Sequence, residues 1–148
     1  MSPSGEPFVP SKTARQHGLV EVFFEIDQLE RRCQIQTKTP DMTRALRESS
    51  VVHVRALLDF FEHGERAGEG DEMLAADFRF PAEPIAIDET LRARLERDLG
   101  RLVYSRRERL ASGRGWTVGL LTAPVLGRAR RFIDHLIDRV LPELAPDA

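Results

Sequence analysis

Cysteine is nearly absent from this chain, since Cys33 is the only one among its 148 residues. One cysteine cannot form an internal disulfide, and it excludes a zinc site built from several thiolates. The Gly-rich phosphate loop, the dinucleotide fingerprint, the GxSxG elbow and the HExxH metal motif are missing as well. We therefore predict neither a metal site nor a cofactor. We expect Cys33 to be a small buried residue of the first helix.

Long hydrophobic runs are missing too. The longest apolar stretch, residues 51–61, is interrupted by His53, Arg55 and Asp59 and is far shorter than a membrane span. Residues 1–10 are polar and rich in proline, unlike a secretory signal peptide. We expect a cytoplasmic protein that does not contact membranes.

The chain has no large excess of charge of either sign. Its formal net charge is −2, so no global field attracts nucleic acid or an anionic membrane. Lysine is scarce, because Lys12 and Lys38 are the only two and all other cationic residues are arginines. Arginine makes bidentate contacts with carboxylates and phosphates, but a GC-rich genome enriches arginine codons without any such role. With 41% hydrophobic and 31% charged residues, the composition is that of an ordinary globular protein.

Alternation with period two over the length of a strand is absent, and so are internal repeats. Apolar stripes of helical period are present instead. These features predict an all-α four-helix bundle with one or two extra short helices. We expect a single domain over residues 14–142, between a disordered N-terminal tail at 1–13 and a C-terminal tail at 143–148.

Capping residues and prolines set the predicted boundaries. The long helices are predicted at Ala14–Thr37, Asp41–His63, Glu89–Ser112 and Thr122–Leu141. Asp88 caps the third of these, and Pro124 occupies the first turn of the fourth. A short helix at Asp71–Asp77 and an extended segment at Phe80–Ile87 connect the second to the third.

Apolar residues spaced three and four apart define the side of each helix that we expect to be buried. In the first helix they are Leu19, Val22, Phe23, Ile26, Leu29 and Cys33. In the second helix they are Met42, Leu46, Ala56, Leu57, Phe60 and Phe61. In the third helix they are Leu91, Leu95, Leu99, Leu102, Val103 and Leu110. In the fourth helix they are Val125, Leu126, Ala129, Phe132, Ile133, Leu136, Ile137 and Val140. From the short helix, Met73, Leu74 and Phe78 are expected to pack against the bundle, and Arg92 is spaced to pair with Glu96.

Three polar residues, Ser49, Ser50 and His53, lie on the apolar side of the second helix. Buried polar groups need hydrogen-bond partners inside the protein, so these three form either a satisfied core network or the floor of a site. Histidine titrates near neutral pH and can act as an acid or a base. His53 is therefore both a candidate catalytic residue and a candidate structural one, and helical geometry directs Arg55 away from it.

Four short motifs lie between residues 41 and 120. They are residues 53–61 (HVRALLDFF), 71–78 (DEMLAADF), 104–106 (YSR) and 115–116 (GW). Together they resemble a family of uncharacterised bacterial helical proteins. The layout of that family is similar to the HEPN group, small helical bundles that include RNases of toxin–antitoxin and phage-defence systems. The chain departs from the family at Arg101, where relatives tend to have a histidine.

HEPN nucleases use an arginine and a histidine, with about four to six residues between them, on the RNA backbone. Arg47 with His53 fits this spacing, and so do Arg128 and Arg130 with His135. A chain so rich in arginine also contains such spacings by coincidence. If the chain is a nuclease, His53, Arg47 and Arg55 are the catalytic candidates to test.

Two charged clusters each have a functional and a structural interpretation. The basic cluster at the end of the third helix can bind nucleic acid beside aromatic residues, or it can stabilise the negative end of the helix dipole. It consists of Arg106, Arg107, Arg109 and Arg114. The acidic cluster can hold Mg²⁺, but caps and ion pairs with arginine account for it more simply. It consists of Asp59, Asp71, Glu72 and Asp77.

These observations predict a non-catalytic interaction or regulatory module that forms a homodimer through an apolar helix face. The alternative is an HEPN-like RNase of toxin–antitoxin or phage-defence type, whose partner is RNA. No small-molecule ligand is indicated by any motif. A toxin impairs growth when it is expressed alone and loses this effect when His53 is replaced by alanine, whereas a binding module does neither.

Overall fold

The computed structural model describes residues 6–35, 39–66, 68, 70–98 and 118–144. The long helices are α1 (Lys12–Gln34), α2 (Pro40–Glu62), α3 (Glu89–Asp98) and α4 (Val118–His135). A π-helical turn (Leu136–Val140) and α5 (Leu141–Leu144) continue α4, and a 3₁₀ turn (Ala75–Phe78) lies between α2 and α3. No β-strand occurs in the described residues, which confirms the predicted all-α bundle. None of the described helices has both the length and the hydropathy needed to cross a bilayer.

Helix α1 begins two residues before its predicted start because Ser11 caps it. Ser11 Oγ accepts a hydrogen bond from the Ala14 amide at 3.1 Å. The helix ends at Gln34, short of the predicted end, where the backbone becomes extended. Upstream of the cap, the Arg66 guanidinium lies 5.1 Å above the ring of Phe8. Part of the segment predicted to be a disordered tail therefore contacts the bundle.

Helices α1 and α2 pack as an antiparallel hairpin. Arg32, near the end of α1, contacts Ser49 in the first half of α2. Glu25, two turns earlier in α1, contacts His53, one turn later in α2. This order of contacts requires the two helices to run in opposite directions.

Two residues that we predicted to be buried, Cys33 and Met42, are exposed. Both lie at one end of the hairpin, where the last turn of α1 adjoins the first turn of α2. The last buried residue of α1 is Leu29 and the first of α2 is Ser50. The helices thus extend past the core, so residues in phase with the buried stripe still face solvent there.

Three further predictions of burial are wrong, because Phe23, Ala56 and Ile137 are exposed. Phe23 and Ala56 lie at the edges of their apolar stripes, where a neighbouring helix covers only part of the side chain. Ile137 lies in the π-helical turn, whose wider winding changes the direction of successive side chains. The half-buried members of the predicted stripes are Leu46, Leu126 and Ile133.

A cluster of phenylalanine rings forms the centre of the core. Phe132 of α4 is fully buried, as predicted. The rings of Phe60, Phe61, Phe78 and Phe80 surround it at centroid distances between 5.3 and 5.9 Å. All four contacts are edge-to-face, the geometry that the aromatic quadrupole favours. This cluster joins α2, α4 and the segment after α2.

The segment after α2 forms a 3₁₀ turn instead of the predicted helix at 71–77. Its cap comes from Asp77, whose Oδ2 accepts a hydrogen bond from the Leu74 amide at 3.1 Å and pairs with Arg66. Leu74 and Phe78 are buried as predicted, but Met73 is 41% exposed. The turn therefore presents Met73 at the surface beside α1 and α2.

A charged clamp holds the extended segment that precedes α3. Arg92 donates to both carboxylate oxygens of Glu62, at 2.7 and 2.9 Å, and the Ile85 amide donates to the same carboxylate at 2.6 Å. Arg92 thus pairs with Glu62 rather than with the predicted partner Glu96, which contacts Arg55 at 3.3 Å. Burial raises the pKa of Glu62, but the hydrogen bonds and the Arg92 charge outweigh it and hold this pKa below the ordinary value of 4.5.

Helix α3 starts as predicted. Asp88 Oδ1 accepts a hydrogen bond from the Leu91 amide at 3.1 Å, which confirms the cap. Leu91 and Leu95 are buried, as their spacing indicated. The predicted continuation of this helix to Ser112 lies outside the described residues.

Helix α4 begins at Val118, not at the predicted Thr122, so Pro124 lies inside the helix rather than in its first turn. The additional turn carries Leu121, which is completely buried, and this burial favours extending the helix backwards. At the other end, helical structure continues past the predicted boundary to Leu144, which is also buried.

Candidate functional site

The polar residues of α2 face α1 along one line of contact, which we call the α1–α2 seam. Each helix contributes residues spaced three and four apart, so each set forms one side of its helix. The seam consists of Glu21, Glu25, Gln28 and Arg32 of α1 and Ser49, His53, Ala56 and Phe60 of α2.

The two serines have hydrogen-bond partners of their own. Arg32 Nε donates to Ser49 Oγ at 2.6 Å. Ser50 Oγ donates to the Leu46 carbonyl, one turn earlier in α2, at 2.8 Å. Neither bond involves His53, so the three polar residues are satisfied separately and do not form one network.

His53 pairs with a glutamate of the opposite helix. Its Nδ1 is hydrogen-bonded to Glu25 Oε2, and the side chains are 13% and 31% exposed. A carboxylate at Nδ1 fixes the orientation of an imidazole, as it does in many acid–base sites. Catalysis also requires groups that bind the substrate and stabilise developing charge near the other ring nitrogen.

The arginines predicted to act with His53 are directed elsewhere. Arg47 is exposed, and Arg55 contacts Asp59 at 3.4 Å and Glu96 at 3.3 Å. On an α-helix, offsets of six and two residues place these arginines about 120° and about 160° around the axis from His53. The structure therefore does not bring the three predicted catalytic residues together.

The second arginine–histidine spacing serves the fold. His135 Nε2 is hydrogen-bonded to the Phe78 carbonyl at 2.8 Å, which ties α4 to the 3₁₀ turn. Arg128 is 7% exposed and donates to the carbonyls of Glu83 and Pro84 at 2.9 and 3.2 Å. Both side chains hold the connection between α2 and α3 against α4.

The two predicted charged clusters have different outcomes. The basic cluster lies outside the described residues, and this applies to all four of its members, Arg106, Arg107, Arg109 and Arg114. The acidic cluster is divided. Asp71, Glu72 and Asp77 line one pocket with Arg66, which pairs with Asp77, whereas Asp59 lines a separate groove to which Glu72 also contributes. Across the described ranges, no three His, Cys, Asp or Glu side chains are placed to hold a metal ion.

A groove of about 320 Å³ opens at the end of the α1–α2 seam, next to the His53–Glu25 pair. Residues from three elements line it: Glu21, Val22 and Glu25 of α1, Ala56, Leu57, Asp59 and Phe60 of α2, and Glu72 and Met73 of the following segment. We call it the seam groove. Its volume is at the lower end of the range typical of ligand pockets.

The floor of the seam groove is apolar. Val22, Leu57 and Phe60 are buried core residues that reach it from below. Met73 closes one end, packed so near α1 that a Cβ at Gly18 would lie 2.8 Å from its Sδ. The absence of a side chain at Gly18 therefore allows this thioether to lie against the helix.

The rim of the seam groove is acidic. No lysine or arginine belongs to its lining among the residues that the structure describes. Four carboxylates do, and they are those of Glu21, Glu25, Asp59 and Glu72. Like charges around a concave, partly apolar surface reinforce one another and create a local negative potential. The chain as a whole has little net charge, so this field is a local property of the groove.

The sequence singled out His53 but not Glu25, which pairs with it, or Glu21, which lines the adjacent groove. Glu21 and Glu25 fall on the polar side of the predicted first helix, where periodicity assigns them to solvent. Their spacing of four residues was visible in the sequence. What was not visible is that α2 packs beside them.

Comparison with models of known protein families, with curated proteins and with solved structures finds no match to this chain.

Proposed function

We propose that this chain is a non-catalytic interaction module that binds a polypeptide partner in the seam groove. The observation that supports this proposal is the combination of an open apolar floor with a polar rim. Protein interfaces have this arrangement, with apolar residues at the centre and polar residues around them. Ala56 is exposed at the wall of the groove, and its small side chain leaves room for a partner side chain.

An HEPN-like RNase is the alternative, and it rests on the resemblance of short motifs. Cleavage of RNA needs cationic groups near the histidine to stabilise the charge that develops on phosphate. The partner of His53 is Glu25, and the adjacent groove is lined by carboxylates, which repel a phosphodiester. These contacts favour the interaction module over the nuclease.

A test of RNA cleavage separates the two functions. Purified full-length protein is incubated with single-stranded and structured RNA, and growth is measured when the protein is expressed alone. We expect no cleavage and no growth defect. Cleavage that disappears in His53→Ala would establish the nuclease and refute the interaction module.

Filling the groove provides the positive test. Ala56→Trp places a large side chain at the wall of the groove, whereas Ala123→Trp places the same side chain on the exposed surface of α4. We expect a polypeptide captured from cells by the wild-type protein to be retained by Ala123→Trp and lost by Ala56→Trp. Equal retention by both variants would show that the groove is not the binding site.

The homodimer is a separate proposal that depends on a different surface. Val20, Phe23 and Phe24 are exposed and lie next to one another on one side of α1. Burial of this face in a second copy would remove apolar area from water. Sedimentation velocity over a range of concentrations tests it, since Phe24→Ser should shift the protein to the monomer. A wild-type protein that remains monomeric at high concentration contradicts it.

A further inference from the structure

We infer that the occupant of the seam groove is a cationic amphipathic helix of a partner protein, an inference that rests on the proposed function. Its apolar stripe contacts the floor of the groove, and lysine or arginine residues beside that stripe meet the rim. Three features of the groove favour this occupant: its position between two helices, its two unpaired carboxylates, and the helical spacing of two glutamates on its rim.

The position of the groove suits a helix. Its walls belong to two antiparallel helices, and the ridge of a third helix can lie in a depression between two others. Recognition of an amphipathic helix in an apolar groove is a recurrent mode of peptide binding, with anchors spaced three and four residues apart. Met73, half-exposed at one end, has a flexible and polarizable side chain that adapts to different anchors.

The charges of the rim select a cationic partner. His53 pairs with Glu25, and Arg55 pairs with Asp59. Within the described part of the chain, the carboxylates of Glu21 and Glu72 make no ion pair or side-chain hydrogen bond. Two carboxylates that form no ion pair lie beside an apolar floor, and they attract lysine or arginine, whose long aliphatic stems also pack on apolar surface.

The spacing of the rim carboxylates matches a helix. Glu21 and Glu25 are one turn apart on α1, so their carboxylates project from the same side of that helix. Two cationic side chains one turn apart on a partner helix have the same separation. Nucleic acids and anionic lipid surfaces carry charge of the wrong sign for this rim.

Three synthetic peptides test the inference. Fluorescent peptides of about 18 residues place leucine at helical spacing, with lysine at the other positions in one peptide and glutamate in the second. A third peptide has the leucine–lysine composition in scrambled order. Fluorescence anisotropy with the full-length protein measures affinity at about 50 mM and about 300 mM salt. We expect only the patterned leucine–lysine peptide to bind tightly, and its affinity to fall as salt increases.

Charge reversal in the groove has a matched control. Glu21→Lys combined with Glu72→Lys reverses the unpaired carboxylates, and we expect it to weaken binding of the patterned peptide by about tenfold or more. Glu30→Lys combined with Asp134→Lys makes the same change in net charge on exposed sites outside the groove lining. We expect this control to change the affinity less than about twofold. Circular dichroism melts verify that both variants fold.

Several results would overturn the inference. They are equal binding of the patterned peptide to both double variants, equal binding of the scrambled or glutamate peptide, and binding of a single-stranded RNA that the groove variant loses. Self-association of the wild type that the groove variant loses would assign the groove to a second copy instead. If no peptide binds but Ala56→Trp still loses its cellular partner, the proposed function survives and only the helical cationic occupant is refuted.

Discussion

Replacing Phe132 with alanine tests the core on which every other feature depends. Phe132 is fully buried, and the rings of Phe60, Phe61, Phe78 and Phe80 surround it. Truncation of a buried phenylalanine costs about 3–5 kcal/mol, because transfer free energy is lost and a cavity remains. The surrounding rings are attached to α2 and to the segment after it. Because these two backbone elements cannot both move inward, the rings cannot fill the cavity. We therefore expect a loss near the upper end, about 4–5 kcal/mol.

Urea unfolding followed by far-ultraviolet circular dichroism measures this loss. Domains of this size are stable by about 5–15 kcal/mol, so the variant should lose a large fraction of its stability, with a Tm lower by about 10 °C or more. Ile137→Ala on the same helical segment is the control, because Ile137 is 57% exposed and its truncation should cost less than about 0.5 kcal/mol. A loss below about 1 kcal/mol for Phe132→Ala, with an unchanged m-value, would refute the placement of this ring in the core.

Two further predictions follow from the charged clamp and the end of the hairpin. Glu62→Gln should lower the free energy of unfolding by about 1–2 kcal/mol at neutral pH, because it weakens the hydrogen bonds from Arg92 and the Ile85 amide. The loss is not larger because Arg92 is partly exposed, so solvent screens its charge. The pKa of Glu62 is held below 4.5 in the folded protein, so its contribution is complete above that value and is lost as pH falls through the folded pKa. Unfolding curves at neutral pH and at about pH 2 should show the difference between wild type and variant shrinking, and a constant difference would contradict the clamp. Cys33 should react with a thiol reagent in the folded protein within about threefold of the rate in the unfolded chain, since it is exposed; protection of tenfold or more would place it in an interface.

The helices themselves could be predicted from the sequence, and their ends could be predicted only where the cap is local. Asp88 caps the amide of Leu91 three residues later in the chain, and α3 starts where this residue indicates. The start of α4 was wrong because burial of Leu121, a tertiary effect, outweighs the preference of Pro124 for a first turn. Cys33 and Met42 have the correct helical phase, but whether a neighbouring helix reaches them depends on how far the core extends.

The candidate site could be predicted only in part. His53 was singled out because a histidine on an apolar stripe is conspicuous in any sequence. Its partner Glu25 is 28 residues away along the chain, and no rule of spacing connects the two. Asp59 and Glu72 were recognised as acidic neighbours of a loop, but the groove that contains them forms only where α1 packs beside α2.

Helical period, capping and the interruption of apolar runs are local properties. From them the sequence by itself determined that this chain is all-α and that Phe60, Phe61, Phe78 and Phe132 pack in its interior. Pairing between distant segments depends on which faces pack together and at what register. Only the tertiary structure decided that Glu25 orients His53, that Arg92 pairs with Glu62, and that two helices form an acidic groove with an apolar floor. Each of these features depends on contacts between residues that are far apart in the sequence. The free energy of such contacts cannot be read from a short stretch of sequence.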